Sequence, residues 1–382
     1  VFTTPDGDRA SVVDLTCLGE SMIVLRSTAP GPLTHVNGFV RGFGGAESNV
    51  ACAAADAGHT ARWVGRVGAD GFGDYLLREL SARGVDTAHV ARDEHRPTGI
   101  CFRTPGERAT GTASEAGENL AEVAYYRDSS AASAMSPATV DTAVLDATRI
   151  LHLTGITAAL SSGCRELLRG LTAPRSGRPR VSFDVNYRMN LWSDAAGAGS
   201  VLLDLARRSD LVFVGADEAE VLWDTGGGTT TVRLLLPEPE VLVVKQGAGG
   251  ATVFARTGPG GPDRVLHEPP PAVDVVAPVG AGDAFAAGFL SAGLRGLPLP
   301  ERLRHGHLAA AAVLTSPEDL APPPPRRMAD RLAALDARAW GRLRLSAGWT
   351  GDRRTRRGDR VPADPLHAGR HGAHGPGPSA VL

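Results

Sequence analysis

The chain has 382 residues, a formal net charge of −2 at pH 7, 42% hydrophobic and 21% charged residues, the balance of a soluble globular protein. Its length predicts two or three domains, or one large α/β domain with a lid, and leaves ample material for a core. The longest apolar stretches, such as residues 308–314, fall far short of the roughly 18 residues of a membrane span; residues 1–6 show no basic region followed by an apolar run, so membrane and secreted classes are not expected.

In chain order, residues 13–18 read as an apolar strand ending at Gly19, 47–57 as an Ala-rich helix closed by Gly58, 60–67 as a strand and 75–83 as a helix stopped at Gly84. Strands follow at 150–153, 180–184, 211–214 and 240–245, with helices at 163–171 and 201–209 between them; 251–255 reads as an edge strand. Helices are expected at 282–294 and 303–315, and a last one over 326–337 beyond the proline run 322–325. Repeated βα units with apolar, non-alternating strands predict an α/β fold: a parallel sheet covered on both faces, in a three-layer α/β/α arrangement. Residues 33–43 and 99–127 break this rhythm and alternate, which predicts a small β lid over the carboxyl ends of the sheet, where open α/β sheets bind ligands. Residues 341–382 hold eight Arg against three Asp, with eight Gly, four Pro and three His. They read as a disordered tail. Its Arg353, Arg354, Arg356 and Arg357 suit an acidic partner or plain solvation, and His367, His371 and His374 suit adventitious metal or none. The remaining residues carry −7, which argues against a nucleic-acid-binding domain.

Of the 40 basic residues one is lysine, Lys245, at the end of an apolar strand. It lacks the Gly-rich loop of a P-loop NTPase, and no HRD or DFG follows it. It is either a surface residue or a place where a compact ammonium is required. Cys17, Cys52, Cys101 and Cys164 are widely spaced, with no CxxC pair. Reduced, buried thiols in a cytoplasmic protein are expected.

Two glycine-rich turns carry the chemistry. In the first, Val279-Gly280-Ala281-Gly282-Asp283, glycines expose consecutive N–H groups at a helix N-terminus, an anion site. Asp283 within it either complements the helix dipole or takes a proton from a hydroxyl attacking a phosphoryl group held by those amides. In the second turn, residues 42–49, glycines permit close backbone approach, and Asn49 can fork two hydroxyls or pack on backbone.

The segments GGAESNVACAAADAG-x4-WVGRVGADGFGD (44–74) and DVVAPVGAGDAFAAGF (274–289) resemble the two signatures of PfkB-type, ribokinase-like carbohydrate kinases. The resemblance spans about residues 13–335. Within the family the likeness is strongest to 2-keto-3-deoxygluconate kinases, through the stretches 125–133, 151–156 and 184–192 (DVNYRMNLW). It implies a Rossmann-like domain with a β lid and ATP-dependent phosphorylation of the terminal hydroxyl of 2-keto-3-deoxygluconate. By that resemblance Asp283 is the general base, and the amides of Gly280, Ala281 and Gly282 hold the γ-phosphate. Gly45, Asn49, Tyr125, Arg127 and Arg188 orient the sugar acid. Arginine suits this role because its fork matches a carboxylate. Lys245, Gly247, Gly250 and His307 lie along the nucleotide, and Glu218 reaches Mg²⁺ through water. A monovalent cation is a further candidate cofactor, and pairing of lid sheets predicts a homodimer. Glu47, Ser48 and Asp70 are open between sugar contacts and structural ones. The chain departs from the family at Gly215, where the N-x-x-E motif has Asn, at His307, where Asn is common, and at Cys101, where related enzymes can carry a lid Tyr. A kinase for fructose or another neutral sugar, and a sensor with the fold but no turnover, are the alternatives.

Overall fold

The computed structural model describes residues 12–29, 31–104, 122–258, 260–277, 279–318 and 320–351. The middle of the second lid segment and the arginine- and histidine-bearing part of the expected tail, 352–382, lie outside the described residues. The first half runs β1 (Val13–Leu18), β2 (Met22–Ser27), β3 (Phe39–Gly44), α1 (Ala46–Asp56), β4 (Ala61–Val64), β5 (Arg66–Gly68), α2 (Gly71–Ala82), β6 (Val85–Asp86), β7 (Ala91–Asp93), β8 (Ile100–Arg103), β9 (Val123–Tyr126) and α3 (Thr142–Asp146). Then come β10 (Thr148–Thr154), α4 (Gly155–Leu160), α5 (Ser162–Thr172), β11 (Arg180–Asp184), α6 (Ala195–Arg207), β12 (Leu211–Gly215), α7 (Ala216–Trp223), α8 (Thr229–Leu235) and β13 (Val241–Lys245). The last part comprises β14 (Ala251–Arg256), β15 (Asp263–Glu268), β16 (Ala272–Val273), α9 (Ala281–Leu294), α10 (Leu299–Leu314), α11 (Arg326–Ala333), α12 (Ala337–Trp340) and β17 (Arg344–Leu345).

Nine strands form the main sheet in the order β15-β14-β13-β12-β11-β10-β1-β4-β6. The strands from β13 to β6 are parallel, and β14 and β15 are antiparallel additions. The chain winds one way from β1 through β4 to β6 and resumes on the other side of β1 with β10. This reversal opens a crevice at the carboxyl ends of β1 and β10, where such sheets bind ligands. Fully buried side chains such as Leu15, Phe213 and Phe289 fill one face of the sheet, and Leu151, Phe183 and Leu202 the other. The lid is a separate four-stranded sheet, β3-β2-β8-β9, joined to β1 by Gly19-Glu20-Ser21. Among the described residues no helix is long and apolar enough to cross a membrane.

The α/β class and the lid match expectation, with local corrections. The strand expected over 60–67 is cut at Gly65, where a Cβ would lie 2.5 Å from the Trp63 ring and 2.7 Å from the Gly19 carbonyl. The edge strand expected at 251–255 is covered by β15. The helix expected from 201 starts at Ala195, because the Asp194 side chain caps it at the Gly197 N–H. The lid also contains β2, which its segments did not include.

Residues 341–351, expected as the start of the tail, are among the described residues, and part of them is folded. The last long helix ends at Ala333, but α12 and β17 continue the fold, with Trp340 1% and Leu345 5% exposed. Two buried anchors suffice to hold this stretch, although it lacks apolar periodicity.

The joint between sheet and active-end helix rests on Phe213, which meets Phe285 and Phe289 of α9 edge-on at 6.4 and 5.5 Å. Phe213→Ala is expected to lower unfolding free energy by about 3–5 kcal/mol, read from denaturant melts against wild type.

Candidate active site

Helix α9 is buried along most of its length, including Ala284, Phe285, Ala286, Ala287, Phe289 and Leu290, so its N-terminus is rigidly held. Gly280 caps it with φ +83°, a left-handed conformation that glycine adopts freely. The N–H groups of Gly280, Ala281 and Gly282 therefore sit at the positive end of a 14-residue helix. Asp283, in the first turn, accepts from Asn49 Nδ2 at 2.8 Å and from Asn186 Nδ2 at 3.3 Å. Burial pushes its carboxyl up to about 6; the Asn49 bond opposes this, Asp184 adds to it, and Arg188 and Lys245 oppose it. Asn49 thus orients Asp283, and its Oδ1 accepts from the Gly45 N–H at 3.5 Å. Gly45 itself packs on the Glu20 carbonyl, 2.2 Å from where a Cβ would stand.

Lys245, at the end of β13, donates to both oxygens of Asp184 at 2.8 and 3.0 Å. Its Nζ lies 3.6 Å from the position a Cβ on Gly282 would take, beside the anion turn. Burial alone would lower its pKa, but Asp184 and Glu218 raise it above the ordinary lysine value, so the ammonium is charged. Of the two readings of the single lysine, the structure supports the compact ammonium at a strand end.

Glu218, on α7, accepts from the Gly215 N–H at 2.8 Å and the Tyr187 N–H at 3.1 Å, and lies 3.7 Å from Arg188. Burial raises its pKa despite Lys245. Among the described residues no three His, Cys, Asp or Glu side chains gather as metal ligands. Asp184 is held by Lys245, and both Glu218 oxygens accept from backbone. These residues fit a divalent ion carried on nucleotide phosphates and reached through water, the usual mode for Mg²⁺.

On the lid side, Arg127 follows β9 and is 8% exposed, in an ion pair with Glu20, whose other oxygen accepts from Ser130 Oγ at 2.6 Å. Tyr125 stacks near it, the guanidinium 5.7 Å from the ring centroid. Arg188 is more open: it donates to the Tyr187 carbonyl at 2.9 Å and bears on the Asp283 charge. The structure thus brings Asn49 and Arg188 to Asp283 and engages Arg127 with Glu20. On the nucleotide side, Gly247 and Gly250 have φ +56° and +100° in the turn after β13. Gly250 packs on the Glu268 carbonyl, 2.4 Å from a would-be Cβ. His307, buried beside Phe285 at 5.2 Å, donates from Nε2 to that same carbonyl at 2.9 Å, and burial lowers its pKa to about 4, so it is neutral.

The three open residues have structural contacts. Asp70 caps α2 through Phe72 and Gly73 and holds the Thr98 N–H. Ser48 bonds Ser21. Glu47 is buried, accepting from Thr154 and Thr157 at 2.6 and 2.7 Å, and burial raises its pKa to about 7. Sequence reasoning missed Asp184 and Asn186. Both lie in the DVNYR stretch, and Asn186 carries φ +40° while 4% exposed.

Residues 13–326 match the family described as pfkB family carbohydrate kinase. The chain belongs to that family. A 2-dehydro-3-deoxygluconokinase of Bacillus subtilis (strain 168) is 33% identical over 313 residues, covering 81% of this chain and 91% of its own. A 2-dehydro-3-deoxygluconokinase of Thermoproteus tenax is 33% identical over 329 residues, covering 85% and 96%. The crystal structure of an uncharacterized sugar kinase from Pyrococcus horikoshii in complex with ATP superposes with TM-score 0.69 at 25% identity, covering 86% and 99%.

In this pfkB-family kinase the raised Asp283 pKa has a consequence for stability. The folded chain holds the Asp283 proton more tightly than the unfolded chain, whose carboxyl titrates near 3.8. The stabilisation is complete below about pH 4 and is lost as pH rises through about 6. Asp283→Asn is therefore expected to melt above wild type at pH 8, with the gap closing toward pH 4. Parallel curves across that range would show that the group titrates as in the unfolded chain.

Proposed function

We propose that the chain transfers the γ-phosphoryl group of ATP to the terminal hydroxyl of 2-keto-3-deoxygluconate, giving the 6-phosphate and ADP. The observation that carries the reading is the juxtaposition at Asp283: a carboxylate held by two asparagine amides, inside an anion-binding turn, with the Arg188 guanidinium and the Lys245 ammonium close by. The names of the 33%-identical relatives support the choice of sugar acid.

Asp283 takes the hydroxyl proton as the oxygen attacks the γ-phosphorus, and the bond to the β,γ-bridging oxygen breaks to release ADP. The amides of Gly280, Ala281 and Gly282 receive the charge on the transferred group. Lys245, fixed by Asp184, lies beside that charge with Gly247 and Gly250 along the nucleotide. Glu218 would hold Mg²⁺ through water, and the ion would supply charge neutralisation. Arg188 reads the substrate carboxylate. Tyr125 and Arg127 shape the lid side, with Arg127 sharing its charge with Glu20. Closure of the lid excludes water as a competing acceptor. The lid face that carries Phe102 and Tyr126, where Tyr126 is 67% exposed, is the surface through which a second copy would pair.

The test is ADP release with Mg²⁺ and ATP on 2-keto-3-deoxygluconate, 2-keto-3-deoxygalactonate, fructose, ribose and gluconate. Turnover is expected on the deoxy-keto acids, and Asp283→Asn should lower kcat by about 10²–10⁴-fold. kcat/KM should fall tenfold per pH unit below about 6, where Asp283 is protonated. Arg188→Ala should raise KM for the sugar acid by about ten- to a hundredfold, as loss of a charge-assisted pair does, and leave KM for ATP in place. Turnover chiefly on fructose or ribose, indifferent to Arg188→Ala, would overturn the sugar-acid reading.

A further inference from the structure

The segment after α11 lies beyond the family match, which ends at residue 326, yet it is anchored where the nucleotide half of the site is built. Trp340 of α12 is 1% exposed, and its Nε1 donates to the Pro269 carbonyl at 2.9 Å. Its ring lies under the Arg304 guanidinium, 4.8 Å from the centroid. Arg304 in turn pairs with the Glu268 side chain at 3.2 Å and donates to the Ala333 carbonyl at 3.0 Å and to the Leu335 carbonyl. Glu268 is the residue whose carbonyl accepts from His307 and against which Gly250 packs.

A few residues on, β17 pairs in parallel with β16. The N–H groups of Ala272 and Asp274 donate to the carbonyls of Leu343 and Leu345, each at 3.0 Å. The chain then runs directly to the anion turn at Gly280. The same short segment therefore grips the first half of the connection from β15 to α9, and that connection runs between the two nucleotide-side features, the Glu268 carbonyl and the anion turn. Val273 packs against the cluster that holds Trp340 and Leu345, whereas Val275 and Val276, nearer the turn, are 60% and 53% exposed, so core packing does not fix that part of the connection. Hydrogen bonds do: those to Trp340 and β17 over residues 269–274, and those from the Val276 and Ala277 N–H groups to the Leu314 carbonyl of α10 at 2.7 and 3.2 Å.

We propose that residues 336–349 brace the nucleotide half of the site, with Trp340 as a positioning residue that sets the β15–α9 connection and through it ATP affinity. The proposal rests on the nucleotide reading of that half given above. A segment that only covered a hydrophobic flank would affect stability without distinguishing the two substrates.

The test compares full-length wild type, Trp340→Ala and Trp340→Phe in steady-state kinetics with ATP and the sugar acid. Trp340→Ala should raise KM for ATP by about tenfold, the scale of one lost buried contact that orders a loop. KM for the sugar acid and kcat at saturating ATP should stay within about twofold, the same scale arguing for no lost contact there. Trp340→Phe, which keeps a ring under Arg304 but loses the N–H donor, should recover part of the ATP affinity. An unchanged KM for ATP in Trp340→Ala, or equal loss on both substrates, overturns the brace. Hydrogen exchange on the unaltered chain decides the matter even if the alanine variant does not fold. ATP should slow exchange at the Ala272 and Asp274 amides, and the sugar acid alone should not. Protection of 279–283 by ATP without protection at those two amides overturns the proposal. A wild-type chain that takes up no ATP by calorimetry overturns the nucleotide reading itself, a failure distinct from that of the brace.

Discussion

The site depends on one charge. Asp184, Glu218 and Asp283 converge at the carboxyl ends of β11, β12 and the start of α9, and Lys245 is the ammonium that all three feel. Removed from water and without a cation, three carboxyl groups in one crevice would take up protons rather than remain ionised. Lys245 pairs with Asp184 and lowers the cost of ionising the other two. In a chain that otherwise uses arginine, this position needs a compact point charge. A guanidinium would spread over a plane and seek fork geometry, whereas the ammonium sits on both Asp184 oxygens and still lies near the turn at Gly282.

A second constraint joins lid to sheet. Glu20, in the Gly19-Glu20-Ser21 joint, is 2% exposed and carries its charge into the interior because Arg127 and Ser130 meet it. Removing Arg127 would leave a buried carboxylate without its counter-charge, which is strongly destabilising. The joint is further tightened by absent side chains: a Cβ on Gly19 would lie 2.1 Å from the Glu47 carboxyl, and one on Gly99 would lie 2.9 Å from Glu20. The lid is therefore hinged on a segment locked to α1, the helix that also presents Asn49. Movement of the lid and the orientation of Asp283 share that helix.

Local pattern made the sheet, most helices, the lid and the anion turn legible, because apolar strands and glycine-bounded helices are written in a few neighbouring residues. Asp283 and Lys245 stood out because each had an unusual local context, whereas Glu218 was reached only through the family resemblance. What stayed hidden was long-range. Glu20 gives no local sign that its partner is Arg127, and Asp184 reads as a strand end until β13 brings Lys245 over it. Strand β15 was missed because DRVLHE is polar on a half-covered edge. The stretch 341–349 looked like tail because what holds it is a buried leucine and Trp349, next to the buried Trp340, rather than a repeat. Trp340 reaches Pro269, and Trp349 reaches Thr315 at 3.2 Å.

Asn186 shows how the site is held ready. A φ of +40° on a non-glycine residue costs energy that the surroundings must hold in place, although asparagine tolerates the left-handed region better than most. The strain has a use here. The residue follows directly on the end of β11 and Val185, and the turn delivers its Nδ2 to Asp283 while the next N–H, from Tyr187, goes to Glu218. With Asn49 on its other oxygen, Asp283 has both oxygens fixed by amide donors that favour its charged form, against a burial that disfavours it. The balance near 6 leaves the carboxylate ionised at neutral pH yet basic enough to accept a proton, the compromise that the proposed role of general base requires. The buried Asn186 Oδ1 has no protein partner among the described residues. The strained turn thus both orients Asp283 and leaves a buried acceptor beside it.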